Sequence, residues 1–266
     1  MQQPIISYCL CSYNDLDYLK ILFASIKNHC PVPHEICLCD NGDKDGTEEW
    51  VKKEASYVKY IKNPNGNEGT AGVNRAVQIS SGQYVFNINA DHYFMPYVDV
   101  YVLKYLSRYP NYLISTNVIE PEPYNQKYIY FDAGKNAKEF DEDKLLRFYR
   151  KQVVGKTGQD IISISHPVAC SREMWDKIGG VDGGYFPGWA GDIDWSHRAY
   201  DLGAKQIMCK AACVYHFVSK TLKQVSFDPI RQDAGKKGEE RFRSKFGLLP
   251  EEWKKTIGDG YENTNT

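Results

Sequence analysis

The residues of this chain best placed to do chemistry stand in the stretch Gln83-Tyr84-Val85-Phe86-Asn87-Ile88-Asn89-Ala90-Asp91-His92. Val85, Phe86 and Ile88 have the branched and aromatic character of an interior strand, and the loop signal Ser80-Ser81-Gly82 precedes them. Side chains alternate along a strand, so Asn89 and Asp91 are expected on one face where the strand runs out. That end is where α/β sheets hold ligands. An amide beside a carboxylate there suits a ribose hydroxyl and a divalent cation, because hard cations take oxygen ligands. Asn and Asp also favour ordinary turns, so the pair gains meaning only from the elements around it.

Those elements alternate. Residues 5–11 predict a strand, and a polar loop leads to a helical pattern with Leu19, Leu22, Phe23 and Ile26 on one face. Residues 35–40 repeat the strand, 41–46 the loop and 47–55 the helix, with Asp45 and Glu48 spaced as a capping box. A third strand over 57–62, an Asn/Gly-rich loop over 63–69 and a helix over 70–79 lead back to the Asp91 strand. Four βα units imply an α/β fold with a mostly parallel sheet and helices on both faces.

Farther on, the patterns predict a helix over 97–108, a strand over 112–118, a helix near 141–152, a strand over 161–169 and a helix over 172–178 closed by Gly179-Gly180. An aromatic, glycine-rich loop over 182–189 precedes a helix over 192–202 and a strand over 206–217. From Ser219 the composition shifts toward Lys, Arg and Glu; this tail is expected to form helices with Phe242, Phe246, Leu248, Leu249 and Trp253 facing inward.

Composition narrows the classes. A chain of 266 residues with 42% hydrophobic content can bury one large core. The 33 Lys and Arg balance the 34 Asp and Glu, so the net charge of -1 gives no electrostatic reason to expect a nucleic-acid or lipid partner. Cys9, Cys11, Cys37 and Cys39 lie in apolar strand-like runs, where free Cys behaves as a small hydrophobe. A zinc site pairing Cys9-x-Cys11 with Cys37-x-Cys39 lacks the usual spacing. Apolar runs stay well short of the roughly 20 residues of a membrane span, and the start of the chain has no charged leader pattern, so a cytoplasmic protein is expected.

Taken together, the motifs resemble family-2 glycosyltransferases of the A-type fold, which transfer sugars from nucleotide donors with inversion. The resemblance runs over about residues 5–217 through Cys11-Ser12-Tyr13-Asn14, Asp40-Asn41-Gly42, Asn67-Glu68-Gly69, Asn74-Arg75, Asn89-Ala90-Asp91, the run 171–180, Gly191-Asp192-Ile193-Asp194-Trp195 with Arg198, and His216. It implies a catalytic domain over 1–218, with a nucleotide-sugar half over about 1–119 and an acceptor half over 120–218, followed by a helical extension over 219–266. It also implies that Tyr13 stacks on a nucleobase, usually uracil, that Asp40 accepts from that base, and that Asn67 and Asn74 contact the nucleoside and phosphates.

Asn89-Ala90-Asp91 stands where the family carries Asp-x-Asp. With Asn at the first position, Asp91 is the one anionic ligand from this segment, and a Mn²⁺ or Mg²⁺ ion would lean on the donor pyrophosphate and on His216. Asp192 and Asp194 are two apart and cannot share a helix face. Asp194 precedes Arg198 by four, a spacing for an ion pair, which leaves Asp192 as general base in the first helical turn. Gly191 stands where the family often has Glu. Tyr185, Phe186 and Trp189 are expected as the acceptor platform, and His166 and Trp195 as packing residues.

The reading is therefore a metal-dependent UDP-sugar transferase acting on a glycan or other hydroxyl-bearing acceptor. A nucleotidyltransferase should carry a Gly-rich loop after the first strand, and 11–15 has no glycine. A catalytically silent nucleotide-sugar binder is motivated by Asn89 and Gly191. A transferase acting on a nucleic-acid base is motivated by the basic residues of the tail.

Overall fold

A computed structural model describes residues 3–42, 44–122, 127–156, 158–163, 165–218 and 229–260, the last span with side chains from 233 onward. Pro123 and Asn125 in the irregular middle stretch, and the tail expectation over 219–228 and 261–266, lie outside the described residues.

The chain runs β1 (Ile6–Ser12), α1 (Leu16–His29), β2 (His34–Asp40), α2 (Thr47–Glu54), β3 (Lys59–Lys62), a 3₁₀ turn (Gly69–Gly72), α3 (Val73–Gln78) and β4 (Tyr84–Asn87). There follow β5 (His92–Phe94), α4 (Val98–Arg108), β6 (Leu113–Glu120), β7 (Ile129–Tyr130), α5 (Glu142–Phe148), β8 (Ile161–Ile162), β9 (Val168–Ser171), α6 (Arg172–Ile178), α7 (Gly191–Asp201) and β10 (Gln206–His216). Two further helices, α8 (Pro229–Phe246) and α9 (Pro250–Ile257), complete the described chain. The strands form one sheet in the order β3-β2-β1-β4-β9-β6-β10-β5, with β7 beside β6 and β8 beside β10. The first four positions are parallel, as the βα alternation predicts, and β9 enters antiparallel between β4 and β6.

Alternation along β1 divides the core. Ile6, Tyr8 and Leu10 join one apolar cluster with Leu19, Leu22, Phe23 and Ile26 of α1, whereas Cys9 joins a second with Cys37, Cys39 and Val73, Ala76 and Val77 of α3. All eight cysteines are free, and the four strand cysteines form no metal-binding cluster among the described residues. A third, smaller cluster of Tyr185, Ala190, Ile193, Phe242 and Trp253 joins the loop before α7 to the two C-terminal helices. Phe242 and Trp253 are buried, and Phe246 and Leu248 pack against them.

Four expectations change. The Asp91 strand ends at Asn87, so Asn89-Ala90-Asp91 forms the turn between β4 and β5 instead of a strand face. The expected strand over 161–169 is two short strands, because Pro167 offers no N–H and β9 begins just after it. Asp45 does not form a capping box with Glu48: it accepts from Thr47 N at 3.1 Å and from Leu16 N at 2.8 Å, tying the starts of α2 and α1 together. The helix over 70–79 opens as a 3₁₀ turn. No described helix is long and apolar enough to cross a membrane.

Candidate active site

The turn carrying Asp91 meets the end of β10. Antiparallel pairing sets His216 opposite His92, Tyr215 opposite Tyr93 and Val214 opposite Phe94, and Phe217 N donates to Asp91 O at 3.1 Å. His216 Nε2 consequently lies 3.3 Å from Asp91 Oδ2, while its Nδ1 is 2.8 Å from Glu120 Oε1 at the end of β6. One ligand atom each from Asp91, His92 and His216 falls within 4.8 Å of the others, a mixed imidazole and carboxylate set that fits Mn²⁺ better than the all-oxygen preference of Mg²⁺. Glu120 behind His216 fixes the imidazole through its other nitrogen, the arrangement that a carboxylate has behind a metal-ligating histidine. His92 was not singled out in the sequence; its adjacency to Asp91 is the one signal, and it means little until β5 is seen to pair with β10.

Charge at this cluster is tightly coupled. Burial alone would lower the His216 pKa, but the Asp91 and Glu120 carboxylates outweigh it and raise the imidazole to about 10. Burial would raise Asp91, and the charged His216 imidazole beside it holds it instead well below the usual carboxylate range. His92, buried and beside His216, is pushed well below the usual imidazole range, so it stays neutral; its Nδ1 accepts from Asn89 N at 3.2 Å, which puts the ring proton on Nε2.

Asp192 opens α7 across the cleft. Asp194 turns the other way, fully buried, and accepts from Arg198 Nε at 2.6 Å, from Tyr185 OH at 2.9 Å and from Lys245 of α8. The i,i+4 ion pair read from the sequence is therefore present, and the C-terminal helix adds a second cation to it. Asp192 reaches solvent with its Oδ1 on Ile193 N at 2.9 Å. The protein mass around it raises its pKa, an effect moderated by that amide and by Lys254 and Lys127.

On the other side, Tyr13 is 52% exposed at the end of β1 and Asp40 is buried at the end of β2. Asp40 accepts from Gly42 N at 2.9 Å, Tyr60 OH at 2.8 Å and Lys62 Nζ at 2.9 Å, which takes three of a carboxylate's roughly four acceptor positions. Asn67 is exposed and accepts from Gly69 N at 2.9 Å. Asn74 Nδ2 donates to Val181 O and its Oδ1 accepts from Val181 N, both at 2.8 Å, so its amide clamps α3 to the loop after α6. Glu68, given no role of its own in the sequence, organises the loop between β3 and α3 by accepting from Asn63, Asn65 and, at two points, Arg75.

The aromatic loop divides. Phe186 is 55% and Trp189 41% exposed, but Tyr185 is 2% exposed with its hydroxyl on Asp194, which makes it a brace for α7 instead of an acceptor surface. A Cβ on Gly191 would lie 3.3 Å from the Tyr185 Cβ, so a side chain there needs Tyr185 to give by a few tenths of an ångström. The loop rests on the 3₁₀ turn before α3: Thr70 N donates to Pro187 O at 3.1 Å, and a Cβ on Gly69 would come within 2.4 Å of the same oxygen.

These elements form the mixed, mostly parallel sheet of the A-type glycosyltransferase fold. The profile described as Glycosyl transferase family 2 matches residues 7–178, more than half of the chain, and the chain belongs to that family. Over 96 residues, 35% of this chain, it is 30% identical to the chondroitin synthase of Pasteurella multocida strain Pm70 and to the hyaluronan synthase of Pasteurella multocida, and 27% identical to the chondroitin synthase of Escherichia coli. The matched stretch spans 10% of the length of the two Pasteurella synthases and 14% of the third. The fold is similar to that of GalNAc-T7 with UDP, GalNAc and Mn²⁺, at a TM-score of 0.59 and 18% identity over 81% of this chain and 44% of that one. It is also similar to that of S. aureus TarS 1-349, at 0.57 and 11% over 91% and 72%.

Proposed function

We propose that this protein transfers a sugar from a UDP-sugar to an acceptor hydroxyl with inversion at the anomeric carbon. The observation that carries the reading is the pairing of β5 with β10, which gathers Asp91, His92 and His216 across a cleft from the solvent-reaching carboxylate of Asp192. Tyr13 stacks on the base and Asp40 offers its remaining acceptor position to it, with Asn67 and Asn89 toward the ribose and phosphates. Asp91 and His216, with His92 beside them, would hold a divalent ion, whose chemistry when bound is to neutralise charge developing on the leaving nucleoside diphosphate. Asp192 takes the proton of the acceptor hydroxyl as that oxygen forms its bond to C1 and the C1–O bond to the diphosphate breaks. Its raised pKa makes it a stronger base than an ordinary Asp. Phe186 and Trp189 offer apolar faces to a glycan acceptor.

Calorimetric titration with nucleoside diphosphates, with and without Mn²⁺, tests the reading. UDP should bind tightly only with the metal, and Asp91→Ala should abolish the metal dependence. UDP binding of equal strength in both conditions would remove the metal from the proposal, and no binding of any nucleotide would overturn the donor site.

A further inference from the structure

Between Asp192 and the histidine cluster the cleft deepens into a recess lined by Asn87, Ser165, His166, Asp192, Trp195 and Gln206, with a cavity volume of about 20 Å³, room for about one water-sized group. Part of its polar lining is unsatisfied: Trp195 is 2% and Ser165 6% exposed, yet Trp195 Nε1, Ser165 Oγ and His166 Nδ1 are buried atoms without a hydrogen-bond partner among the described residues. Buried polar atoms nearly always have partners, so three of them around one small recess call for a polar guest. Two further groups of the wall are already committed: Ser196 Oγ donates to Gln206 Oε1 at 2.5 Å, and Gln206 Nε2 donates to Ser165 O at 3.1 Å. The sequence suggests only packing roles for His166 and Trp195, and the burial of Trp195 against Trp175 agrees with that for its ring but leaves its N–H unexplained.

The lining specifies the guest. An indole N–H can only donate, so the guest must accept, whereas Ser165 Oγ and His166 Nδ1 can each accept or donate. A hydroxyl meets both demands and is the size of a water. Location narrows it further. One wall is Asp192, the proposed base, which must lie within hydrogen-bond reach of the oxygen attacking C1. The other wall, His166, stacks 6.0 Å from His92 of the proposed metal cluster. Of the two ring atoms bonded to C1, the ring oxygen bears no substituent and C2 does. The substituent that reaches a recess shared with the base is therefore the one on C2.

We infer that this recess receives the 2-hydroxyl of the donor sugar, with Trp195 and Ser165 as specificity-determining residues, so that the protein takes 2-hydroxy hexosyl donors and rejects 2-acetamido ones. The inference rests on the UDP-sugar reading above. An acetamido group sets four heavy atoms where the hydroxyl has one, and the apolar sides of the recess, Val168 and Val181, close around a single small group.

The test is calorimetric titration, in the presence of Mn²⁺, with UDP, UDP-glucose, UDP-galactose and the 2-acetamido counterpart of each sugar. At least one 2-hydroxy donor should bind about tenfold or more tightly than its acetamido partner. Trp195→Phe, which keeps a ring and removes the N–H, should leave UDP affinity unchanged and weaken the favoured UDP-sugar about three- to tenfold. Ser165→Ala gives the same comparison if Trp195→Phe does not fold. Failure of UDP itself to bind identifies the donor-site reading as the fault and takes this inference with it. UDP binding accompanied by equal or tighter binding of the acetamido sugars, or a preference that both variants retain, overturns the recess assignment alone.

Discussion

At the scale of single residues, the two carboxylates of the cleft differ because their neighbours differ. Asp91 is held ionised by the His216 imidazolium, while Asp192 is pushed toward its neutral form by the protein around it. The first suits a charge that must persist and the second a group that must accept a proton. Asp192→Asn should lower the rate of transfer about 10²–10⁴-fold, the usual worth of a positioned general base, with UDP affinity unchanged. Transfer at an undiminished rate in a stable variant would take Asp192 out of that role. A second consequence concerns His216. With its imidazole raised to about 10, it is protonated near neutrality, and metal ligation requires the neutral ring. Metal binding must then expel a proton, so Mn²⁺ affinity should rise up to about tenfold for each pH unit between 6.5 and 8.5. Titrations across that range that show no slope would mean that His216 is no ligand. In the metal-free protein the sign reverses: the raised pKa contributes stability in full below the ordinary imidazole range, and that contribution fades as pH climbs toward about 10.

At the scale of elements, the strands of the first half of the chain are tied together by a single carboxylate as well as by their pairing. Glu35 at the start of β2 accepts from Ser7 Oγ at 2.6 Å and Gly82 N at 3.1 Å and pairs with Lys59 at 2.6 Å, so one side chain joins β1, β2, β3 and the entry to β4. Burial would raise its pKa, but Lys59, Ser7 and the Ser81 amide lower it to about 2. A depressed carboxylate pKa contributes stability above the ordinary Glu range and loses it as pH falls toward that value. Glu35→Gln should cost about 1 kcal/mol near neutrality, after allowance for the solvent that reaches Lys59, and close to nothing near pH 2. Urea melts at both pH values check it, and an equal loss at both would remove ionisation from the account. Elements such as β1, α1, α6 and α7 were legible in the sequence because their apolar periods continue for at least two turns or a full strand. β5 was not: His92-Tyr93-Phe94 is three residues long, and only pairing with β10, more than a hundred residues later, makes it a strand. The same distance hid the place of His92 beside Asp91 and His216. The clamp made by Asn74 was not legible because a side-chain amide suits a nucleotide and a backbone clamp equally well, and only the position of Val181 reveals the clamp.

Across the whole molecule, two seams among the described residues hold the α7 side of the cleft in place. One is the contact of Gly69 and Thr70 with Pro187, where the turn before α3 carries the aromatic loop. The other is the C-terminal pair of helices, which reach α7 from behind. Gly238 lets α8 approach Trp189, since a Cβ there would fall 2.6 Å from the Trp189 carbonyl oxygen, and Lys245 brings a cation to Asp194. His197 of α7 stacks 4.0 Å from Phe246 and 4.9 Å from Trp253. The cluster that holds this seam is separate from the two larger cores, so loosening it should open the base side of the cleft without melting the donor side. Trp253→Ala, at a site 3% exposed, should cost about 3 kcal/mol of local stability. Hydrogen exchange should then quicken in α7, α8 and α9 and stay slow in β1, β2 and β4, while transfer slows and UDP affinity holds. If exchange instead quickened throughout the sheet, the extension would be part of one cooperative core, and the separation of base positioning from donor binding would fail with it.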